Sequence, residues 1–520
     1  MELRKICSIA MLCAVAGSAV AVPARREGMI RTAEDGTQKT VFLYGDETFH
    51  YLTDENGIWL DEETLMPMSE EVKGTKLKAK GQSKMAKARR AKEDTGTSRL
   101  LAPRGAVILV SYKDQAFQQS NEDMTMWAMG ETYTYNGATG SIHQYFYDQS
   151  WGQYDMQIDV YGPVTVSKNA SYYGSNDYWG NDQHADELVK EACILAHDQC
   201  GADFSQYDFN GDGEVDWVVI LYAGKGEADG GASSTIWPHQ YDLSYTGMSV
   251  MLDGKWVNHY CCLNEIDGRT GKRCGIGTFC HEFSHVMGLP DFYATNEASH
   301  RTLNSWDIMD YGPYNNNGNT PPNYSAYERW FMGWITPTLI NTACSVELPP
   351  LYTSKAACLI TANGSNISNI LSPSPSTFYL LENRQQVGWD KYLKGSGMMV
   401  TKVQWDKTKW EGNTVNNTSS KLGVDIIEAK SNTSAYSDKD TDLYPKGATS
   451  FTKVTNYQVT NIAMSNQLVT FDVNGGGDAI TLDVENMQNA NVRIQKILKD
   501  GQVRIVRDGK IYDLMGRQIQ

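Results

Sequence analysis

Residues 280–293 read CHEFSHVMGLPDFY and place two histidines four positions apart, with a glutamate between them. On an α-helix, positions i and i+4 lie one turn apart, so His281 and His285 can direct their imidazoles at one point. Glu282 lies about 100° around the helix from His281 and can reach a water molecule there without being a metal ligand. The alternative is a buried helix that carries histidines in its core. Spacing alone does not distinguish the two, because a bare HExxH motif also occurs by chance.

A catalytic zinc ion takes three protein ligands and leaves one coordination position open, so a third ligand is required. Gly288 can adopt the left-handed conformation that ends a helix, and Pro290 then prevents its continuation. The resulting turn brings the chain back toward the histidines. We therefore expect Asp291 to be the third zinc ligand beside His281 and His285.

A second segment, SWDIMDYG at residues 305–312, strengthens the catalytic interpretation. Its Met309 follows the expected ligands in a tight turn, as in the Met-turn of metzincin-like proteases. Tyr311 could direct its hydroxyl toward an oxyanion near the zinc, although it could equally be an ordinary core tyrosine. His239 and His259 are interpreted as structural or supporting residues, because the motif already supplies a full ligand set.

The segment DFNGDGEVD, residues 208–216, predicts a second cation site, for calcium. Oxygen-bearing side chains alternate with Gly211 and Gly213, and calcium prefers such hard oxygen ligands. The expected ligands are Asp208, Asn210, Asp212, Glu214 and Asp216. The loop departs from the EF-hand pattern, because Val219 occupies its twelfth position and a strand follows where a helix should be. The alternative is a turn rich in Asp and Asn before that strand.

Composition and charge limit the class of protein. A chain of 520 residues with 41% hydrophobic residues is folded and holds two to four domains of roughly 100 to 200 residues. A formal net charge of −16 disfavours nucleic acid or an anionic membrane surface as a partner. Protein or peptide substrates remain as the expected partners.

The first 21 residues are typical of a signal peptide. Arg4 and Lys5 precede a short apolar run, and Ala19-Val20-Ala21 matches an A-x-A cleavage site. The apolar run is too short for a membrane anchor, and no later segment reaches the length of a transmembrane helix. We expect a secreted or cell-surface bacterial protein. Eight cysteines follow residue 21, so some disulfides are expected.

Residues 22–100 are predicted to form a removable propeptide and a basic linker. Residues 40–68 alternate apolar and polar side chains, which indicates short antiparallel strands. Residues 73–92 then contain nine Lys and Arg without an acidic residue. That run could be a solvated linker or a tail that binds polyanions. In an exported protein it is also where an activating protease of trypsin-like specificity would cut.

The remaining chain is predicted to be of the α+β class. Residues 101–345 mix buried strands, such as GAVILVSY at 105–112, with amphipathic helices, and form the expected zinc metallopeptidase domain. Residues 346–474 carry short β-prone runs between Asn, Gly and Ser turns, which predicts a β-sandwich-like domain. Residues 475–520 follow three glycines and form a small C-terminal β module.

Several of these segments together resemble the immune inhibitor A family of secreted bacterial metallopeptidases. The resemblance is carried by HEFSHVMGLPDFY, WDIMDYG, DFNGDGEVDWVVILYAG and TIWPHQY, and by residues 378–400. It implies a zinc endopeptidase with a zincin-type catalytic domain, an N-terminal propeptide and a β-rich domain behind it. It also implies His281, His285 and Asp291 as zinc ligands and Glu282 as catalytic acid and base.

Two alternatives remain open from the sequence. The last segment, with DGKIYDLMGRQIQ, resembles the C-terminal sorting modules of exported Bacteroidetes proteins, but Asp-Gly hairpins also end ordinary β domains. The chain could also be a catalytically silent, secreted binding or adhesion protein on the same fold. Glu282 favours the enzyme, because a silent protein has little use for a base beside a complete ligand set.

Overall fold

A computed structural model describes residues 21–33, 35–47, 49–80, 104–177, 180–296 and 298–482, and the backbone of three strands between residues 495 and 512. Residues 1–20, most of the predicted signal peptide at 1–21, and residues 81–103, which include the end of the predicted linker, lie outside the described residues. Helices and several separate sheets alternate along the chain. The α+β class predicted from the sequence is confirmed.

The N-terminal module is a four-stranded antiparallel sheet, as the alternating pattern predicts. Its strands are β1 (Met29–Thr32), β2 (Gln38–Asp46), β3 (Phe49–Thr53) and β4 (Trp59–Leu60). The turn between β3 and β4 is closed by a hydrogen bond from the Gly57 N–H to the Asp54 carbonyl. The module buries a small core of its own, to which Ala228 and Trp237 of the expected catalytic segment (residues 104–345) also belong.

The start of the basic linker is helical, which the sequence interpretation did not anticipate. Helix α1 (Glu70–Lys80) begins after Ser69, whose hydroxyl accepts a hydrogen bond from the Val72 N–H. Glu70 and Glu71 lie in its first turn, where carboxylates interact favourably with the helix dipole. The absence of apolar periodicity therefore did not exclude a short, exposed helix here.

A mixed five-stranded sheet forms the centre of the catalytic segment, in the order β6, β5, β8, β12, β9. The strands are β5 (Arg104–Ser111), β6 (Gln157–Thr165), β8 (Val218–Lys225), β9 (His239–Asp242) and β12 (His259–Ile266). All neighbours pair in parallel except β9, which runs antiparallel at the edge. β5 and β8 are buried along nearly their whole length, which explains their continuous apolar sequences. A smaller sheet contains β7 (Glu214–Val215), β10 (Val250–Leu252) and β11 (Lys255–Val257).

The helices that pack most closely on this sheet are α2 (Asn121–Met129), α5 (Ala185–Cys200) and α7 (Gly277–Val286), and α7 supplies the candidate site. The described residues also form α3 (Ile142–Gln149), α4 (Ala170–Gly174), α6 (Leu243–Thr246), α8 (Ala326–Phe331) and α9 (Lys407–Glu411). α5 is amphipathic, with Leu188, Ala192 and Ala196 among its buried residues. α7 carries the HExxH motif and is buried at nearly every position.

Two sheets follow the catalytic segment and share a second core. One contains β13 (Thr338–Leu339), β15 (Cys358–Ile360), β16 (Thr377–Arg384), β17 (Gly397–Gln404) and β18 (Val424–Ile426). The other contains β14 (Cys344–Leu348), β19 (Val459–Ser465), β20 (Leu468–Val473) and β21 (Ala479–Thr481). A last three-stranded sheet contains β22 (Gln495–Lys499), β23 (Gln502–Arg507) and β24 (Lys510–Tyr512).

The β-rich region is joined to the catalytic segment by a buried polar network as well as by apolar packing. Arg384 on β16 pairs with Asp390 at 2.6 Å and with Glu382 at 3.2 Å, and donates to the carbonyl of Asn323 at 3.1 Å. Glu382 accepts the N–H of Ala326, the first residue of α8. Phe378 and Leu380 on β16 belong to the same core as the central sheet. The β-rich region thus helps to hold the site.

Two further expectations concern disulfides and membranes. The described residues contain no disulfide, although several were expected in an oxidising compartment. Most of the eight cysteines are instead buried, where a thiol behaves as a small apolar side chain. Among the described residues, none of the helices is long and apolar enough to cross a membrane.

Candidate metal centre

Helix α7 is positioned by close contacts at both of its ends. At the start, a Cβ on Gly277 would lie 2.0 Å from the carbonyl oxygen of Pro313, so only glycine permits this approach. At the end, Gly288 has a φ of +105°, and its N–H donates to the His285 carbonyl at 2.9 Å. The expected left-handed glycine therefore ends the helix and turns the chain toward Asp291.

The structure brings together the three expected metal ligands. The Nε2 atoms of His281 and His285 are 3.1 Å apart, and Asp291 Oδ1 lies 3.2 Å from each. All three side chains are buried. Ligand atoms about 2.0 Å from a tetrahedral zinc ion are about 3.3 Å from one another, so the triangle has the size of one face of such a site.

The donor chemistry of the histidines also fits a metal ion. His281 Nδ1 lies 2.7 Å from the Ile308 carbonyl oxygen, and His285 Nδ1 lies 2.8 Å from that of Leu289. A carbonyl can only accept, so each Nδ1 carries the hydrogen and each neutral ring directs its Nε2 lone pair inward. Two lone pairs and a carboxylate at this separation repel one another unless a cation lies among them.

Further carboxyl groups surround the ligand set. Burial, with Asp46, Asp291 and Glu282 nearby, raises the pKa of Glu47 well above its ordinary value. A concentration of buried acidic groups is what a divalent cation would offset.

Asp291 is oriented by a residue of the β-rich region. The Asn413 side chain accepts the Asp291 N–H at 2.7 Å and donates to Asp291 Oδ2 at 2.5 Å. Oδ2 is thereby occupied, and Oδ1 is directed toward the histidines. Asn416 supports the same turn by donating to the Phe292 carbonyl at 2.7 Å. Sequence reasoning missed Asn413, because a contact across 122 positions leaves no local pattern.

The segment around Met309 contacts the ligand residues and their neighbours through its backbone. Met309 is fully buried, and its carbonyl accepts the Phe292 N–H at 2.8 Å, next to the third ligand. Ile308, one position earlier, supplies the carbonyl that orients His281. The segment thus supports two of the three ligands through its backbone, which agrees with the expected position of Met309 after them.

The residues that precede the N-terminal module lie beside the ligand set, in a space lined by Glu282, Tyr293 and Tyr314 that is called the cleft from here on. The Val22 N–H donates to Glu282 Oε1 at 2.8 Å, and both residues are buried. Tyr293 donates its hydroxyl to the Ala21 carbonyl at 2.7 Å. Glu282 is therefore directed at a peptide nitrogen that lies in the cleft, close to the ligand set.

Two tyrosines near the ligand set make contacts that the sequence interpretation did not anticipate. The guanidinium of Arg26 covers the ring of Tyr311 at 3.7 Å, so the observed partner of Tyr311 is a cation of the N-terminal module. A part for Tyr311 in catalysis stays a prediction. Tyr293 was missed, although it lies two positions after Asp291 and contacts a peptide carbonyl. Its position only two residues after the expected third ligand is the sequence signal that could have placed it in the site.

His239 and His259 lie apart from the ligand set. Burial lowers the pKa of His239, whose Nδ1 lies 2.7 Å from the Trp237 carbonyl oxygen. His259 Nδ1 lies 2.7 Å from Asp242 Oδ1, on the neighbouring strand β9. Both contacts agree with the structural interpretation of these histidines.

The acidic loop at residues 208–216 forms hydrogen bonds typical of a turn rich in Asp and Asn. Asp208 accepts the N–H groups of Gly211, Asp212 and Gly213, and its Oδ2 lies 2.6 Å from Lys255 Nζ. Asp216 accepts the Phe209 N–H at 2.7 Å. Asn210, Asp212 and Glu214 complete the segment, and among the described residues its Asp and Glu side chains do not form a group with metal-ligand spacing. Calcium binding here stays a prediction.

A second group of metal-ligand type lies between the N-terminal module and the catalytic segment. It contains His50, Glu62 and Glu227. His50 Nε2 lies 3.0 Å from Glu227 Oε1, and Lys76 lies 3.3 Å from Glu62. Burial acts to lower the pKa of His50, but Glu227 raises it to about 9. With Lys76 beside it, the group is an ionic contact between the two parts of the chain.

Comparisons with known proteins point to one family. Residues 98–335 match the catalytic-domain model described as immune inhibitor A peptidase M6. The pre-pro-metalloprotease PrtV of Vibrio cholerae serotype O1, in two strains, is 30% identical over 226 residues, or 38% of this chain and 24% of that protein. The immune inhibitor A of Bacillus thuringiensis subsp. alesti is 29% identical over 222 residues, or 37% of this chain and 31% of that protein. The chain thus spans less than a third of the curated relatives it matches.

The ligand geometry predicts how metal binding responds to substitution. We expect Asp291→Ala to lose the metal ion on dialysis, because two histidines remain. Asn413→Ala leaves all three ligands in place but releases the Asp291 carboxylate, and should weaken metal affinity by about 10- to 100-fold. Competition with a fluorescent zinc chelator measures both.

Asn456→Ala is the matched control, because Asn456 is exposed and its side chain donates only to the Ala362 carbonyl at 3.0 Å among its described contacts. It should bind metal as the unaltered chain does. Unchanged affinity in Asp291→Ala would show that the third ligand lies elsewhere.

Proposed function

We propose that this chain, which carries the catalytic domain of the immune inhibitor A peptidase family over residues 98–335, is a secreted zinc endopeptidase made as a latent precursor. The family match and the names of two relatives support a metallopeptidase. That the metal is zinc, that the precursor is latent and that the protein is exported are further parts of the proposal. The zincin-type arrangement of the domain belongs to the proposal as well.

The observation that carries the proposal is the geometry around α7. His281, His285 and Asp291 direct three ligand atoms at one point, and Glu282 from the same helix contacts a peptide N–H in the cleft. Two neutral imidazoles and one carboxylate are a zinc ligand set that leaves one position open. A silent binding protein has no need of a carboxylate directed at a peptide bond.

Zinc bound by these ligands would polarise the scissile carbonyl and favour deprotonation of water. Glu282 accepts the proton of the attacking water. It then delivers that proton to the leaving amine nitrogen, because its carboxylate already lies within hydrogen-bonding distance of a peptide nitrogen. The buried surroundings of Glu282 keep bulk water away from this transfer.

Latency is supported by the position of the first described residues. Val22 and Pro23 lie in the cleft, with the Val22 carbonyl bound by Trp237 Nε1 at 3.1 Å and the Pro23 carbonyl by the Tyr314 hydroxyl at 2.7 Å. A substrate cannot reach Glu282 while this segment is bound. If export removes residues 1–21, the Val22 nitrogen becomes an ammonium and its contact with Glu282 becomes an ion pair.

Charged contacts hold the N-terminal module on the catalytic segment. Arg25 is 2% exposed and pairs with Asp267 at 2.5 Å. Arg26 lies between the rings of Tyr311 and Tyr436, at 3.7 and 3.8 Å. The catalytic segment adds Ala228, Trp237 and the half-buried Tyr314 to the apolar core that the two parts share. Ion pairs and hydrogen bonds add to this apolar contact, and an interface of this kind can be released once the covalent link is cut.

Export is supported by the A-x-A site at the end of the signal-like segment. The relative from Vibrio cholerae is named a pre-pro-metalloprotease, which states a two-part leader for that protein. We extend the same organisation to this chain, with the basic linker as the site where an activating protease cuts.

Substitution of Glu282 tests its role as the base. Glu282→Gln should keep the metal and lower the rate of casein hydrolysis by at least about 1000-fold, because the amide cannot exchange protons. Glu122→Gln, on the exposed face of α2, is the control and should retain full activity. Normal turnover by purified, metal-loaded Glu282→Gln would contradict the mechanism.

The second prediction concerns latency. The uncut full-length chain should hydrolyse casein at least about tenfold more slowly than the same preparation after trypsin treatment, because the tethered segment is present at high effective concentration. Arg25→Gln should raise the activity of the uncut chain, since it leaves Asp267 buried without its partner. It should leave the activity after trypsin unchanged.

Lys39→Gln is the matched control for Arg25→Gln. Lys39 belongs to the same module, and its ammonium donates to the Leu65 carbonyl within that module at 2.7 Å. This variant should remain latent. Equal activity of the uncut and trypsin-treated chains would exclude latency.

The contact between His50 and Glu227 should make latency depend on pH. The pKa of His50 is raised to about 9 by Glu227, so its stabilisation of the bound module is complete below about pH 6.5 and is lost as pH rises through 9. The activity of the uncut chain, divided by that of the trypsin-treated chain at each pH, should therefore rise between pH 7 and 10. His50→Gln should flatten this rise. A ratio that is independent of pH in the unaltered chain would contradict the assignment.

A further inference from the structure

One peptide bond in the cleft is held on both edges by the catalytic segment. The carbonyl of Ala21 accepts the Tyr293 hydroxyl at 2.7 Å, and the N–H of Val22, which belongs to the same peptide bond, donates to Glu282 at 2.8 Å. Ala21, Val22 and Tyr293 are all buried. This peptide bond stands in for the scissile bond of a substrate, because its nitrogen lies against the group that would protonate a leaving amine.

The position of Tyr293 is fixed by the ligand turn. It follows Asp291 by two residues, and the intervening Phe292 is held through its N–H by Met309 and through its carbonyl by Asn416. The hydroxyl is therefore presented to the cleft by the same backbone that presents the third ligand. A phenol is protonated at neutral pH, so it can donate a hydrogen bond without any preceding proton transfer.

We propose that Tyr293 is a catalytic residue of the peptidase, whose hydroxyl donates to the oxygen of the scissile carbonyl as negative charge develops there. This inference rests on the proposed function. The water oxygen forms its bond to the carbonyl carbon, and the electron pair of the C=O bond moves to the oxygen that Tyr293 contacts. The C–N bond then breaks, and the proton held by Glu282 goes to the amine nitrogen. Tyr293 keeps its own proton throughout.

The geometry distinguishes Tyr293 from the other candidate tyrosine. Tyr311 is covered by the Arg26 guanidinium and contacts the N-terminal module through its ring. The Tyr293 hydroxyl contacts the main-chain carbonyl, which every peptide substrate possesses. The two rings are 6.5 Å apart, so replacing one hydroxyl leaves the other in place.

The test compares Tyr293→Phe with Tyr311→Phe in the full-length chain after trypsin treatment, with a quenched fluorescent peptide as substrate. Removing a hydrogen-bond donor that acts on the developing oxyanion should lower kcat by about 100- to 1000-fold and leave KM within about twofold. Tyr311→Phe should lose less of kcat than Tyr293→Phe. Tyr352→Phe removes a hydroxyl that donates to Gln467 in the β-rich region, so it is the control and should retain kcat within about threefold. The bound metal and the thermal unfolding midpoint are measured for each variant.

A second measurement does not depend on turnover. A phosphinic peptide, which imitates the tetrahedral carbon, should bind Tyr293→Phe more weakly by a factor similar to the loss of kcat/KM. Binding of the uncleaved substrate to Glu282→Gln should not change when Tyr293→Phe is added. This pattern separates transition-state stabilisation from a general loss of structure.

The possible results separate a failure of the Tyr293 inference from a failure of the proposed peptidase function. A full kcat in Tyr293→Phe, or a loss confined to KM, overturns the inference and leaves the proposed peptidase intact. A large loss of kcat in Tyr311→Phe with none in Tyr293→Phe would assign the role to Tyr311. No cleavage by the unaltered, trypsin-treated and metal-loaded chain would overturn the proposed function together with the inference.

Discussion

The arrangement of the site depends on two hydrogen bonds from histidine rings to backbone carbonyls. The Ile308 and Leu289 carbonyls hold Nδ1 of His281 and His285, and so direct both Nε2 atoms inward to a separation of 3.1 Å. Each carbonyl comes from a turn outside α7. The ligand set is therefore a product of the tertiary fold, although its residues lie within eleven positions of one another.

In the proposed precursor the N-terminal segment is bound where a substrate would bind, and its contacts explain why such binding can be reversible. Backbone hydrogen bonds place Val22 and Pro23 in the cleft, while Arg25, Arg26 and His50 supply the charges that hold the module. Ion pairs of this kind lose their advantage once a linker no longer keeps the partners together. Cutting the basic run at residues 73–92 is therefore the step that would activate the proposed precursor.

Local patterns in the sequence predicted the parts of the site that lie close together along the chain. The HExxH spacing, Gly288 and Pro290 define a helix and a turn, and these bring His281, His285 and Asp291 together as expected. The strands of the N-terminal module and the buried strand β5 also follow from alternation and apolar runs. In each case the deciding interaction spans only a few residues.

Contacts between distant segments could not be predicted in the same way. Asn413 orients Asp291 from another part of the chain, and the acidic loop at Asp208 is hydrogen-bonded within itself and paired with Lys255. The position of Val22 against Glu282 spans 260 positions. Such contacts depend on how whole elements pack, and composition or periodicity carries no signal for them.

The central claim, a metal-dependent peptidase released from its own N-terminal segment, is tested most directly by chelation. The trypsin-treated chain is incubated with casein, with 1,10-phenanthroline or with its non-chelating 1,7 isomer, and then with added zinc. The account predicts cleavage that the 1,10 isomer abolishes, the 1,7 isomer leaves intact and zinc restores. Cleavage that persists in the chelator, or none in any arm, would contradict it.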